Sequence, residues 1–470
     1  MRAINSGDTW PAAMLPFSIL SQGTFYLDIF ANFFQSLNFD PHMIVLSEGH
    51  YLSFYPIVIP VLITPLYVIP YLSLNFLQFP LDMLNTTFYL IVFIFEKLFA
   101  SLIAVASVVF CFLAWKQLMR KEIAYICAAI YAFATNSWVT SSQALWQQGM
   151  VELILSILIY LTIINEKNRS DRNIIYMGIL SGLFIFNRPS DSLLMLPVLT
   201  YVMLLGKKSF SYYAASGMLS GFPFLIYNLY FFQSFFGGYA NLLSDFSLGS
   251  SFLFNLCGLL ISPSRGLLIY SPILILSLFA YPLINGIEGQ GLRLFLKIAG
   301  ISILLQIFVY SSFKVWWAGH CYGPRFLVCI LPFLVTYIGL FLNGWLHFGR
   351  IRGKSMAYLS LVGMLMIWSV FVQAIGVFCY PNGNWDGTPE NVDFSPERLW
   401  DWKDNQIARS LNSGPIIVNP LKIFGFISRD GELQQTSNDT NRSIGWSKLD
   451  KEGIIGGLKG YGRSGVDNLN

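Results

Sequence analysis

The chain has 470 residues, of which 55% are hydrophobic and 11% charged, with a mean hydropathy of +0.57 and 41 phenylalanines. Soluble globular chains carry roughly 25% charged residues. This composition therefore excludes a soluble enzyme, a disordered chain and a disulfide-stapled secreted domain, and a net charge of +4 gives no footing for nucleic acid. Long apolar runs point instead to an all-α polytopic membrane protein.

In chain order, residues 1–97 read as an outer-face loop. It holds Asp8, Asp28, Asp40 and Glu48, and a proline-interrupted apolar stretch over 54–78. Pro56, Pro60, Pro65, Pro70 and Pro80 argue against a regular spanning helix there, so juxtamembrane or re-entrant helices are expected, with a kinked span as the alternative. Residues 98–380 read as a bundle of about ten transmembrane helices. Its apolar runs lie near 98–115, 122–137, 150–165, 173–187, 192–206, 211–231, 267–285, 294–312, 326–346 and 357–378. Residues 381–470 hold 12 of the 25 acidic residues and no spanning run. They read as a soluble extracytoplasmic tail, loose at its end, with an amphipathic helix over 398–409.

The loops alternate in basic residues. Lys116, Arg120, Lys121, Lys167, Arg169, Arg172, Lys207, Lys208, Arg293, Lys297, Arg350, Arg352 and Lys354 fall on one side, and only Arg188, Arg265, Lys314 and Arg325 on the other. The positive-inside rule places the larger set in the cytoplasm. The N-terminal segment and the tail then lie outside. This topology also implies a span ahead of residue 1.

The outer loops carry the unusual side chains. They are the uncharged 135–149 with its Ser, Thr, Gln and Trp, the turn at Arg188–Asp191, the stretch from 236–246 to 262–266, and 314–326. Polar groups gathered on one face, rather than at the bilayer midplane, favour an interfacial active site over a channel or transporter. Glu96, Lys97 and Glu152 come near the helices, each expected close to an end.

The blocks GDTWPAAMLPFSIL, EGHYLSFYP, SSQALWQQG, FNRPSD, ISPSRGLLIYSP, WWAGHCYGPRFLVCILPFL and VQAIGVFCYPNGNW occur in this order. They resemble a family of bacterial and archaeal polytopic membrane proteins over about residues 5–410. Its architecture is similar to that of the GT-C glycosyltransferases, which include protein O-mannosyltransferases and the aminoarabinose transferase of lipid A. The resemblance implies sugar transfer from a polyprenyl-phosphate donor to a glycan, lipid or protein acceptor on the outer face of the cell membrane. It also implies an acidic residue early in the first outer loop, a place that Asp8 occupies without the usual Asp-Glu pair, since its neighbours are Gly7 and Thr9. The alternative is a non-enzymatic protein that binds or moves a lipid-linked glycan. No pseudo-symmetric halves favour that reading.

Such a transfer needs a base, a cationic hold on the phosphate and a groove for the lipid. Asp8 is the candidate base, although Asp8-Thr9-Trp10-Pro11 also reads as a helix start. Arg325 is the first candidate for the phosphate, because a guanidinium grips phosphate oxygens in parallel. His320 and Lys314 flank it, and Arg265 and Arg188 follow unless they pair with a carboxylate such as Asp191. Glu48 and His50 are acceptor-side candidates, and Trp138, Trp146 and Trp385 have the faces to stack on sugars. Cys321 and Cys379 are near enough in the topology to pair. No cofactor beyond the lipid-linked donor is expected. The four His residues, at 42, 50, 320 and 347, show no zinc-ligand spacing, and nothing in the sequence supports a divalent cation beside Asp8.

Overall fold

The computed structural model describes residues 7–37, 42–240, 246, 249, 251–348 and 355–415. Asp40, Arg350, Arg352, Lys354 and the tail beyond 415 lie outside them. The described chain is mostly helical, as its apolar composition requires, because only a helix satisfies its own backbone polar groups away from water.

Helix α1 (Trp10–Gln22) starts with Pro11 in its first turn and stops at Gly23, whose φ of 68° lets its N–H return to the Ile19 carbonyl. A short α2 (Ala31–Ser36) leads to the hairpin of β1 (Ile44–Ser47) and β2 (His50–Ser53), with Ser47 opposite His50. Glu48 and Gly49 form its two-residue turn, both at positive φ, which matches the right-handed twist of the strands. Residues 58–76 form one continuous helix, α3 (Val58–Phe76), although the prolines argue against a regular one. Pro65 and Pro70 lie inside it. Tyr67 of α3 meets Phe17 at 5.2 Å and Phe99 at 4.8 Å between ring centroids, so packing on neighbouring helices offsets the lost backbone bonds.

Helix α4 (Thr86–Leu118) is 33 residues long and is capped by Asn85, whose side chain accepts from the N–H groups of Thr87 and Phe88. The boundary expected at residue 97 falls inside it, and so do Glu96 and Lys97, which are not at a helix end. Next come α5 (Lys121–Phe133), α6 (Gln147–Lys167), α7 (Asp171–Asn187), α8 (Leu196–Leu204) and α9 (Lys207–Phe232). Helices α7 and α9 approach to backbone contact, since a Cβ on Gly182 would lie 2.3 Å from the Gly217 carbonyl oxygen. After α10 (Phe252–Ile261), the run expected as a helix over 267–285 is instead a four-residue α11 (Leu267–Tyr270) followed by 3-10 turns at Pro272–Phe279 and Tyr281–Gly286. Pro272 and Pro282 stand at the start of those turns. The bundle closes with α12 (Gln290–Ser311), α13 (Leu331–Phe348) and α14 (Ser355–Phe378).

Six segments among the described residues are long and apolar enough to cross a membrane: 58–76, 86–118, 147–167, 290–311, 325–345 and 359–378. The expected count of about ten is not reached by this criterion. Helix α5 has 13 residues, 189–204 mixes 3-10 with α structure, and 267–285 is irregular.

Loop contacts sort the two ends of the bundle. At one end Lys167 Nζ reaches the Gln117 carbonyl at 3.2 Å, Lys208 meets Asp171 at 2.8 Å, Gly291 N–H donates to Glu166 at 3.0 Å, and Arg120 N–H donates to Asn343 at 3.1 Å. At the other end Lys97 donates to the Gln143 carbonyl, Asn187 to Gln147, Gln306 to Ser190 and Asn255 to Ser311. Lys167, Arg120 and Lys208 thus gather at the end away from Arg188. With Cys257→Ser as background, because Cys257 is an exposed thiol, an impermeant thiol reagent added outside cells is expected to label Lys314→Cys and spare Glu122→Cys, both positions being exposed. The reverse pattern would invert the orientation.

Candidate functional site

Arg325 opens the apolar segment 325–345 and turns back toward the first described residues of the chain. Its Nη1 donates to Asp8 Oδ2 at 2.9 Å, and its Nη2 donates to the Ala318 carbonyl at 2.7 Å. Its Cζ lies 4.2 Å from the Trp146 ring centroid, a cation–π contact of about 0.5–2 kcal/mol. The loop that presents Arg325 bends through positive φ at Ala318 (62°), Gly319 (65°) and Gly323 (69°). A Cβ on Gly323 would also sit 2.6 Å from the Tyr270 ring, so only glycine fits there.

Asp8 bridges two partners. Oδ2 takes Arg325, and Oδ1 lies 3.0 Å from His42 Nε2. The Asp8 and Arg325 side chains are 18% and 12% exposed, and that of His42 is 45% exposed. Asp8 is not a helix cap, since α1 receives no side-chain cap bond. Burial by itself would raise the Asp8 carboxyl; the hydrogen bond from His42 and the charge of Arg325 outweigh it and hold the group well below the usual carboxylate range.

Around this pair stand Tyr55 and Tyr239, with ring centroids 6.1 Å apart, and Gln147, whose Oε1 accepts from the Tyr239 hydroxyl. Arg325 Nε and Gln147 Nε2 are buried donors with no hydrogen-bond partner among the described residues. Tyr239 lies within electrostatic reach of Arg188, Arg325, Asp8 and Asp191, which joins the pair to a second polar group. There Arg188 Nε is 2.9 Å from Asp191 Oδ2, and its Nε and Nη2 reach the Tyr310 hydroxyl at 3.3 and 3.1 Å. Asp191 also accepts from Tyr310 and, at 3.1 Å, from Gln306. The Tyr310 ring stacks on Phe326 at 4.5 Å, so this group braces the turn that carries Arg325. Arg188 is therefore neutralised by Asp191 and positions its neighbour.

The other candidates lie elsewhere. Arg265 is fully engaged within the protein. Its Nε donates to the Trp317 carbonyl, Nη1 to the Ser264 carbonyl and Gln406, and Nη2 to the Gly319 carbonyl and, at 2.6 Å, to Asp386, which uses all five guanidinium protons. Trp385 is buried under Arg265 and Arg398, with Cζ atoms 5.5 and 4.8 Å from its ring, so it offers no face to a sugar. Trp138 packs edge-on between Phe133 and Phe378. His320 does not join Arg325; its Nε2 meets Asn391 at 3.0 Å and Asp393 at 3.2 Å. Lys314 is exposed on the same loop. His50 binds Asp28 at 2.6 Å and stacks on Tyr26 at 4.0 Å, and Glu48 stands exposed at the hairpin turn. Cys321 and Cys379 are free buried thiols, not a disulfide.

The start of the tail is docked on the body through Arg265, Asp386 and Gln406. Its expected 398–409 helix is a 3-10 turn at Pro396–Trp400 and a short α15 (Gln406–Asn412). Asp401 accepts the Lys403 and Asp404 N–H groups, and Asn405 caps α15 through Ala408 N–H. These three local side-chain bonds divide the segment.

Among the described residues no group of three or more His, Cys, Asp or Glu side chains could hold a metal ion. Both Asp8 oxygens are engaged, Oδ2 by Arg325 and Oδ1 by His42. Sequence reasoning passed over His42, Tyr55, Gln147 and Tyr239. The available signal was that two of the four His residues share one segment with the N-terminal carboxylates.

No family model matches the sequence, and no curated protein matches it. Two solved structures of an oligosaccharyltransferase from Archaeoglobus fulgidus, one in complex with Zn and sulfate and one in the apo form, are similar to this chain at 11% identity with a TM-score of 0.46. They cover 83% and 84% of this chain and 53% and 56% of their own, so the chain spans about half their length.

The His320–Asp393 contact predicts a pH effect. Burial by itself lowers the His320 imidazole, but Asp393, Asn391 and Asp386 raise it above its ordinary value. A raised His contributes fully below its unfolded pKa of about 6.5 and is lost as pH climbs through the folded value. Protection factors over 385–400, with the intrinsic pH dependence of exchange divided out, are expected to fall as pH rises past that point, and Asp393→Asn is expected to weaken this fall.

Proposed function

We propose that the chain is an integral membrane glycosyltransferase of GT-C type. It moves a sugar from a polyprenyl-phosphate donor to a glycan, lipid or protein acceptor at the outer face of the cell membrane. The observation that carries this reading is the Asp8–Arg325 pair. A largely desolvated carboxylate and guanidinium, 317 positions apart in sequence, meet where an apolar segment begins, with two buried donors, Arg325 Nε and Gln147 Nε2, that have no partner among the described residues. Both residues fall in the ordered blocks that resemble a family of polytopic membrane proteins of GT-C-like architecture.

In this reading the donor phosphate competes with Asp8 for Arg325. The two Nη groups and Nε of Arg325, with the Gln147 amide, face the phosphate oxygens and stabilise the charge that grows on the leaving polyprenyl phosphate. Asp8, released from Arg325, supplies the negative charge that draws the proton from the acceptor hydroxyl. Trp146 keeps the guanidinium plane in place. The exposed apolar faces of the helices meet the lipid tail.

Reconstituted protein with radiolabelled polyprenyl-phosphate sugars tests the reading. Asp8→Asn is expected to lower transfer by about 10²–10⁴-fold while the protein stays folded and inserted. Arg325→Lys is expected to raise KM for the donor more than it lowers kcat, because the charge stays and the parallel grip is lost. Near-normal turnover in Asp8→Asn would remove this site from the reaction.

A further inference from the structure

The sequence sets an acid and a base side by side inside an apolar helix, at Glu96 and Lys97. Helix α4 is 33 residues long, about 50 Å at 1.5 Å per residue, whereas the hydrocarbon layer takes about 20 residues. Counted back from Lys116 in its last turn, about 20 residues reach Lys97, so the two charges stand where α4 leaves that layer. Both are buried. A buried charge is costly unless it is hydrogen-bonded, and an apolar side chain would pack the helix at lower cost. Helix packing alone therefore gives no reason for either residue, and their contacts do.

Those contacts fall on one short segment. Glu96 Oε1 accepts the Leu145 N–H at 3.1 Å, Lys97 Nζ donates to the Gln143 carbonyl at 3.1 Å, and Ser101 Oγ, one turn further along α4, donates to the Ser142 carbonyl at 3.0 Å. The acid meets a backbone donor and the base a backbone acceptor, so exchanging the two would break both bonds. The next residue is tied in as well. Trp146 N–H donates to the Ala144 carbonyl at 2.8 Å, a three-residue turn that leaves no loose link between the held segment and the indole. The Trp146 ring then lies 4.2 Å from Arg325 Cζ, and Gln147 follows with its buried Nε2 donor. We propose that Glu96, Lys97 and Ser101 are positioning residues of the phosphate site: they fix residues 142–145 and so hold Trp146 against the Arg325 guanidinium. This inference rests on the glycosyltransferase reading and extends its site to the wall of α4.

A guanidinium grips phosphate in parallel only when its plane is held, and a misplacement of about 1 Å in such a site costs up to about 10²-fold. The polar patch of α4 reaches Arg325 through the indole. Its influence on donor binding is therefore lost once Trp146 is lost, and this dependence separates a positioning role from a general contribution to stability.

The test measures donor KM and kcat for the reconstituted full chain with a polyprenyl-phosphate sugar, in single and double variants. Trp146→Ala is expected to raise donor KM about 10-fold. Glu96→Leu, which takes the acceptor from the Leu145 N–H, is expected to raise it by a similar factor with a smaller change in kcat. Glu96→Gln, which offers an amide oxygen to the same N–H, is expected to recover most of that loss. Glu96→Leu combined with Trp146→Ala is expected to match Trp146→Ala alone. Ser101→Ala removes one bond and leaves both charges in place, so it keeps the test open if Glu96→Leu does not fold. It is expected to raise donor KM a few-fold alone and to add nothing to Trp146→Ala. In a protein that transfers sugar, single variants with unchanged donor KM, or factors that multiply in the double variants, would overturn the assignment and leave the glycosyltransferase reading intact. A wild type inactive with every donor sugar would overturn that reading and this inference with it.

Discussion

A charge taken out of water must meet its opposite, and in this chain that constraint decides which distant segments touch. Leaving one partner of a desolvated ion pair alone costs about 3–5 kcal/mol. Asp8 and Arg325 therefore fix the first described turn of the chain onto the start of the 325–345 segment. Arg188 and Asp191 do the same for the turn between α7 and α8, and Arg265 and Asp386 for the tail. All three pairs lie at the same end of the bundle. The other end carries exposed basic residues whose partners, such as Asp171 for Lys208, stand in solvent.

The three pairs differ in what they leave available. Arg265 has spent every proton on carbonyls, Gln406 and Asp386, and Gln406 itself accepts from Tyr270 and the Gly323 N–H. That centre is closed, and its role is to hold α15 and the Gly319–Gly323 bend together. Arg188 is closed by Asp191 and Tyr310. Among the described residues, Arg325 alone of the three keeps a buried donor without a hydrogen-bond partner, and a half-exposed imidazole stands beside its carboxylate. The same physics that locks two arginines into the scaffold leaves the third able to exchange one anion for another.

Much of this was legible in the sequence, and the limits are physical. Apolar runs marked most of the helices, and the asymmetry of basic residues put Asp8 and Arg325 on one face although they are far apart in the chain. The irregular 267–285 stretch was not legible, because hydropathy is blind to whether a run is α-helical or built of 3-10 turns. The continuity of α3 was missed because proline counts against a helix only until neighbouring side chains compensate, as Phe17 and Phe99 do around Tyr67. The partners of Arg265 and His320 were not legible because Asp386 and Asp393 lie in the tail, and no local pattern announces a contact such as Arg265–Asp386 across 121 positions.

The central claim is that Arg325 exchanges Asp8 for a phosphate. Competition has a signature that a fixed structural pair lacks. The direct measurement is the affinity of polyprenyl phosphate for the protein in nanodiscs, wild type against Asp8→Asn. Because the neutral side chain competes less well for the guanidinium, Asp8→Asn is predicted to bind polyprenyl phosphate several-fold more tightly than wild type even as it loses transfer. Equal or weaker binding by Asp8→Asn would contradict the account.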